Sequence, residues 1–175
     1  MRTHPVFLVF FALALIGAAA SVSAGDRAFV RSAMKSGAAE VQRAAVQANA
    51  VDYRVRQYAG EMNTDHQKAN QQLAAIAADI GVDTGSTQPM QPQPATTPGL
   101  GRPNVPKGNP AALQPSAYFS LEVDAHRQAI ALFSREASAG SNSKLRSYAQ
   151  QTLPVLKQHL RLAQTYLKQE RQLHH

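Results

Sequence analysis

Seven of the ten prolines in this chain fall between Val82 and Gln114, in a stretch otherwise rich in Gly, Gln and Thr. Proline fixes φ and lacks a backbone N–H, so no regular element survives that density and residues 82–114 read as an extended linker. On each side of it lie two segments with helical periodicity. The first runs from about Asp26 to Asn49, and the second from about Tyr53 to Ile80 with Gly81 as its stop. Pro115 suits the first turn of a third helix reaching about Ala139, and a fourth spans about Ser143 to Gln169. Pro154 lies inside the fourth and is expected to kink it, because it removes the bond to the carbonyl of Gln150.

The two pairs resemble each other. Asp52-Tyr53-Arg54-Val55-Arg56-Gln57-Tyr58-Ala59 aligns with Asn142-Ser143-Lys144-Leu145-Arg146-Ser147-Tyr148-Ala149, each opening on a good N-cap residue and sharing Arg-x-Tyr-Ala. A linker this long inside a compact domain needs a task. Spanning a helix of about 40 Å is one that roughly 30 extended residues can perform. The expected fold is all-α, a ferritin-like four-helix bundle of two hairpins joined by a long crossover. Both short loops are expected at one end. Counted back from them, Glu40 lies about 16 Å away, His66 and His126 about 22 Å, and His159 about 27 Å.

That common level matters because each of the three histidines replaces an apolar residue on a buried stripe. His66 lies among Met62, Ala69 and Leu73, His126 among Phe119, Ile130 and Phe133, and His159 among Val155, Leu156, Leu162 and Ala163. A buried imidazole needs a hydrogen-bond partner or a metal, since an unsatisfied buried polar group costs roughly 1–3 kcal/mol.

The N-terminus reads as a secretory signal over residues 1–24. Arg2 precedes an apolar run from Val6 to Ala20, and Val22-Ser23-Ala24 has the small-x-small form of a cleavage site before Gly25. The run is short for a membrane span, which needs about 20 residues, so the alternative of an uncleaved anchor is the weaker one. Residues 25–175 then form one domain in the periplasm or cell envelope. With no cysteine, the chain has neither disulfides nor a lipidated cysteine. Eighteen Lys and Arg against eleven Asp and Glu favour an anionic membrane surface or an envelope protein as partner. Aromatics are sparse and not interleaved with basic residues, which argues against nucleic acid. Lys157, Arg161 and Lys168 share a helix face, read as a solvated one.

Met62-Asn63-Thr64-Asp65-His66-Gln67-Lys68-Ala69-Asn70, Leu153-Pro154-Val155-Leu156-Lys157-Gln158-His159-Leu160, and the stretch from Ala125-His126 through Phe133, Glu136 and Ala137 together resemble the bacterial family called domain of unknown function 4142. The resemblance runs from about Phe29 to Gln169 and omits the signal and the crossover. It implies a ferritin-like exported protein, often labelled an outer-membrane protein, with no settled activity. Ala125 stands where the family usually places an Asp before its histidine; here the acid is Asp124.

A di-iron centre of ferritin type needs Glu-x-x-His on two helices, and this chain has none. Three imidazoles with a carboxylate, Glu40 or Glu122, suit a single Zn, Cu(II) or Fe(II). The competing reading makes each histidine a satisfied core residue, with Asp65, Glu40, Glu122 or the carbonyl freed by Pro154 as partner. The expected role is a non-enzymatic binding protein whose metal ligands are His66, His126, His159, Glu40 and Glu122. The alternatives are a structural or interaction protein of the envelope without metal, and a metal-dependent oxidoreductase. Hydrolase and phosphate-loop motifs are missing, so catalytic residues and other cofactors are expected to be none. His174 and His175 read as an inert tail.

Overall fold

The computed structural model describes residues 22–84 and 112–173, which form four helices: α1 (Ala24–Gln47), α2 (Tyr53–Asp79), α3 (Pro115–Ala139) and α4 (Ser143–Leu173). Residues 1–21 of the expected signal segment and most of the crossover lie outside the described residues, as do His174 and His175. Each helix starts where a side chain or a proline meets its free amide groups. Ser23 and Asp26 make a reciprocal capping box on α1. The Asp52 carboxylate accepts from the amides of Arg54 (2.7 Å) and Val55 (3.2 Å), and Asn142 does the same for Lys144 (2.9 Å) and Leu145 (3.3 Å). Pro115 opens α3. Gly81 ends α2 at φ 70°, a conformation that favours glycine.

α1 pairs with α2 and α3 with α4, and the hairpins meet through α2 on α4 and α1 on α3. The Ser141 amide, in the α3–α4 turn, donates to Asp26 at the start of α1 (2.9 Å). At the other end, Tyr58 near the start of α2 packs on Tyr118 and Phe119 near the start of α3. The two short loops therefore lie at opposite ends, which corrects the expectation of a single end. The physical reason is that α3 begins at the end where α2 began, so α3 runs parallel to α2. The common level of the histidines survives the correction. His66 is the middle residue of α2, and His126 and His159 each lie within one residue of the middle of α3 and α4.

α4 runs through Pro154 as one helix, and Pro154 and Gln150 are both exposed. It also continues beyond Gln169 to Leu173, which brings buried Glu170 against Arg54.

The repeat is realised atom by atom. Arg56 donates to the carbonyls of Ala50 (2.7 Å) and Val51 (2.6 Å), and Arg146 to those of Gly140 and Ser141 (both 2.8 Å). Tyr58 donates to the carbonyl of His159 across the bundle (3.5 Å), and Tyr148 to that of Ala69 (3.1 Å). These two tyrosines sit in separate aromatic clusters. Phe29, Phe133 and Tyr148 fill the end holding the α3–α4 turn, and Tyr58, Tyr118, Phe119 and Tyr166 fill the other. Between them lies the histidine level.

Candidate metal centre

His66 from α2, His126 from α3 and His159 from α4 are all buried, and their rings meet at centroid distances of 5.6, 5.6 and 5.3 Å. One nitrogen of each lies within 4.8 Å of the others. Tetrahedral ligation at 2.0–2.1 Å places nitrogens about 3.3 Å apart, so a small inward rotation of the rings closes the triangle on an ion. A second group within the same limit joins Glu40 of α1, Glu122 of α3 and His126. His126 belongs to both, and no carboxylate belongs to the three-histidine group.

Hydrogen bonds orient two of the rings. His126 donates from Nδ1 to the Glu122 carbonyl one turn earlier (2.9 Å), which leaves Nε2 as a bare lone pair. His159 donates from Nε2 to Asp65 on α2 (2.9 Å), and its Nδ1 faces no hydrogen-bond partner. Both arrangements have the form in which metal-binding imidazoles are held: one nitrogen anchored to a carbonyl or carboxylate, the other aimed inward. His126 Nε2, His159 Nδ1 and His66 Nε2 are buried without a hydrogen-bond partner. A proton on His66 Nε2 would serve only one of the other two nitrogens. Burial holds two of the imidazoles neutral: His66 is pushed down to about 3 by desolvation and then by His126 and His159, and His126 to about 4 by desolvation.

The carboxylates behave differently. Burial and the facing carboxyl group raise Glu122 to about 8, and burial raises Glu40 too. Arg43, one turn after Glu40, bridges them. Its Nη2 pairs with Glu40, and its Nε with Glu122 at 3.1 Å. Arg43 escaped the sequence reading because its guanidinium is carried inward by a stem whose Cα lies at the half-exposed edge of α1. Its i+3 spacing from Glu40 was the available signal. The structure thus brings the five expected residues to one level but divides them into an imidazole triangle and an Arg-bridged acid pair. Asp65 is the partner of His159, whereas Asp124 pairs with Arg127 at 3.5 Å on the surface. The carbonyl freed by Pro154 serves none of the three histidines.

The family model described as domain of unknown function (DUF4142) matches residues 14–166. The chain belongs to that family. No curated protein matches it. Among solved structures, this DUF4142 chain is similar to a crystal structure of a DUF305 fragment from Deinococcus radiodurans. The TM-score is 0.64 at 17% identity, over 85% of this chain and 98% of that one. At that identity the likeness shows the fold alone, and the helical bundle is common to both.

Proposed function

We propose that this DUF4142 protein is an exported, non-enzymatic metal-binding protein that holds one transition-metal ion on His66, His126 and His159, with Glu40 and Glu122 beside it. The observation that carries the reading is the set of three buried imidazoles, each with one ring nitrogen that has no hydrogen-bond partner, two of them oriented from behind by a carbonyl and a carboxylate. Left empty, each such atom costs roughly 1–3 kcal/mol. An ion removes all three penalties together. Imidazole donors suit Zn, Cu(II) and Fe(II), and Cu(II) binds a given nitrogen site most tightly. Placement in the periplasm or envelope rests on the residue 1–24 pattern. No helix among the described residues is long and apolar enough to cross a membrane.

The test is metal analysis of the untagged protein with His174 and His175 replaced by Ala, after equilibration with Cu(II) and gel filtration. One Cu per chain, lost in His126→Ala, is the expected result. No retained Cu, and no rise in melting temperature with Cu(II), Zn or Fe(II), would overturn it. A second reading, in which the level is purely structural, is favoured by Arg43, which already neutralises the acid pair. It predicts that His126→Ala changes stability alone.

A further inference from the structure

Beside the histidine triangle lies a small, partly open cavity of about 20 Å³, lined at one side by His66, His126 and Glu40. That is room for about one water or a ligand of two or three atoms. We infer that this chamber delivers a small exogenous ligand to the open position of the metal. The inference rests on the metal reading above and goes beyond storage of an ion: it makes the centre one that binds a second molecule.

Three nitrogens fill three positions of a tetrahedral ion, and an open fourth is the arrangement in which a metal takes an outside ligand. No protein carboxylate joins the three-histidine group, because Glu40 and Glu122 are drawn toward Arg43. The cavity touches two of the three imidazoles, so the open position has a volume to face. Its other walls are small or already occupied. Ala33 and Ala129 contribute only methyl groups. The hydroxyls of Ser36, Tyr148 and Thr152 donate to the carbonyls of Ala33, Ala69 and Tyr148 at 3.0, 3.1 and 2.8 Å. Asn70, one turn after His66, reaches the chamber past Gly37. There a Cβ would come within 2.0 Å of the Asn70 amide oxygen, so glycine makes the approach possible. The amide is the polar group placed to meet the far end of a bound ligand.

Size and lining fix the ligand class: a lone-pair donor of no more than three atoms, such as a diatomic gas or azide. Binding is a simple ligand addition and involves no electron transfer.

The experiment loads the protein with Cu(II), confirms one Cu per chain, and titrates with azide while following the azide-to-copper charge-transfer band. A band that saturates at one azide per Cu is expected in the wild type. Ala129→Leu, which fills the chamber, should keep the copper and weaken azide at least tenfold. Ala33→Val, a smaller filling, decides the matter should Ala129→Leu fail to fold, and should weaken azide in the same direction. Copper bound without an azide band, or a band that neither filling alters, overturns the chamber while leaving the metal reading standing. No copper at all removes both.

Discussion

Two buried acid pairs occur in this bundle, and each joins α1 to α3. At one end Asp26 faces Glu136, and at mid-height Glu40 faces Glu122. In both, burial raises the α3 glutamate: Glu136 to about 7, with Asp26 adding to the effect, and Glu122 to about 8. The surroundings separate them. Burial alone would raise Asp26, but the Ser23 hydroxyl and the amides of Ser141 (2.9 Å), Asn142 and Ser23 (3.3 Å) outweigh it and hold its carboxyl below the ordinary range. Glu136 presses on Gly140 so closely that a Cβ there would lie 2.2 Å from its carboxylate. That pair is a clasp closing the α3–α4 turn onto the start of α1. It also borders an open cavity of about 490 Å³, far larger than the chamber beside the histidines. Size misleads here. The end pair leaves one polar atom, Glu136 Oε1, without a partner, whereas the mid-height level leaves five. Buried acids alone mark a joint; inward lone pairs without donors mark a place for a ligand.

Crossing the two regions gives the largest expected effect. His126→Ala should abolish stoichiometric Cu(II) retention. Asp26→Ala should leave copper affinity within about twofold while lowering stability by about 2 kcal/mol, since it removes a buried charge-assisted tie and half of a capping box. Metal analysis and urea unfolding read the two. A loss of copper in Asp26→Ala would show that the regions are not independent.

Asp65→Asn sharpens the same contrast at smaller scale. An amide still lies beside His159 but no longer fixes which ring nitrogen carries the proton, so Cu(II) affinity should fall about tenfold. Asp65 is half-exposed, so the melting temperature should hardly move. A competition titration against a chelator of known affinity measures the change. An unchanged affinity would remove Asp65 from the site.

Much of this was legible in the residues, for a specific reason. A histidine on a stripe of Leu, Ala and Phe is a single polar interruption of an apolar period, and periodicity reports where a Cα points. His66, His126 and His159 could be placed that way, and Gly81, Asp52 and Asn142 were legible as stop and cap residues. The loop positions were not read correctly, because counting back from the loops gives the same level whichever end they occupy when each histidine is central in its helix. Arg43 and the Arg54–Glu170 pair were hidden too. Their long side chains reach partners that Cα periodicity cannot register, and Glu170 sits in a wholly polar run, Lys168-Gln169-Glu170-Arg171-Gln172, that reads as a frayed end.

The metal-free protein should respond to pH through both regions at once. His66 and His126 titrate lower in the folded chain than at their ordinary 6.5, so the unfolded chain binds more protons and stability is lost as pH falls below 6.5. Glu122 and Glu136 titrate higher than their ordinary 4.5, so the folded chain binds more protons and stability is lost as pH rises from 4.5 to about 8. Between about 4.5 and 6.5 the two slopes oppose each other. The melting temperature should be nearly flat there and fall on either side. Glu136→Gln should remove part of the alkaline fall and none of the acid one. If the whole alkaline fall survives that change, the end pair does not titrate as described.

Ser23→Ala carries the smallest effect, about 1 kcal/mol, the usual worth of an N-cap. It tests the end clasp alone, so copper and azide binding should be untouched. The position has added interest because Ser23 and the buried Val22 lie on the signal side of the expected cleavage before Gly25. A chain beginning at Gly25 loses both, and with them the Ser23 amide on Asp26, while the Ser141 tie remains. Its denaturation midpoint should therefore fall at least as far as that of Ser23→Ala. A processed chain as stable as the intact one would mean that the Ser141 tie holds the clasp by itself, and the capping box would then contribute nothing to the joint at that end.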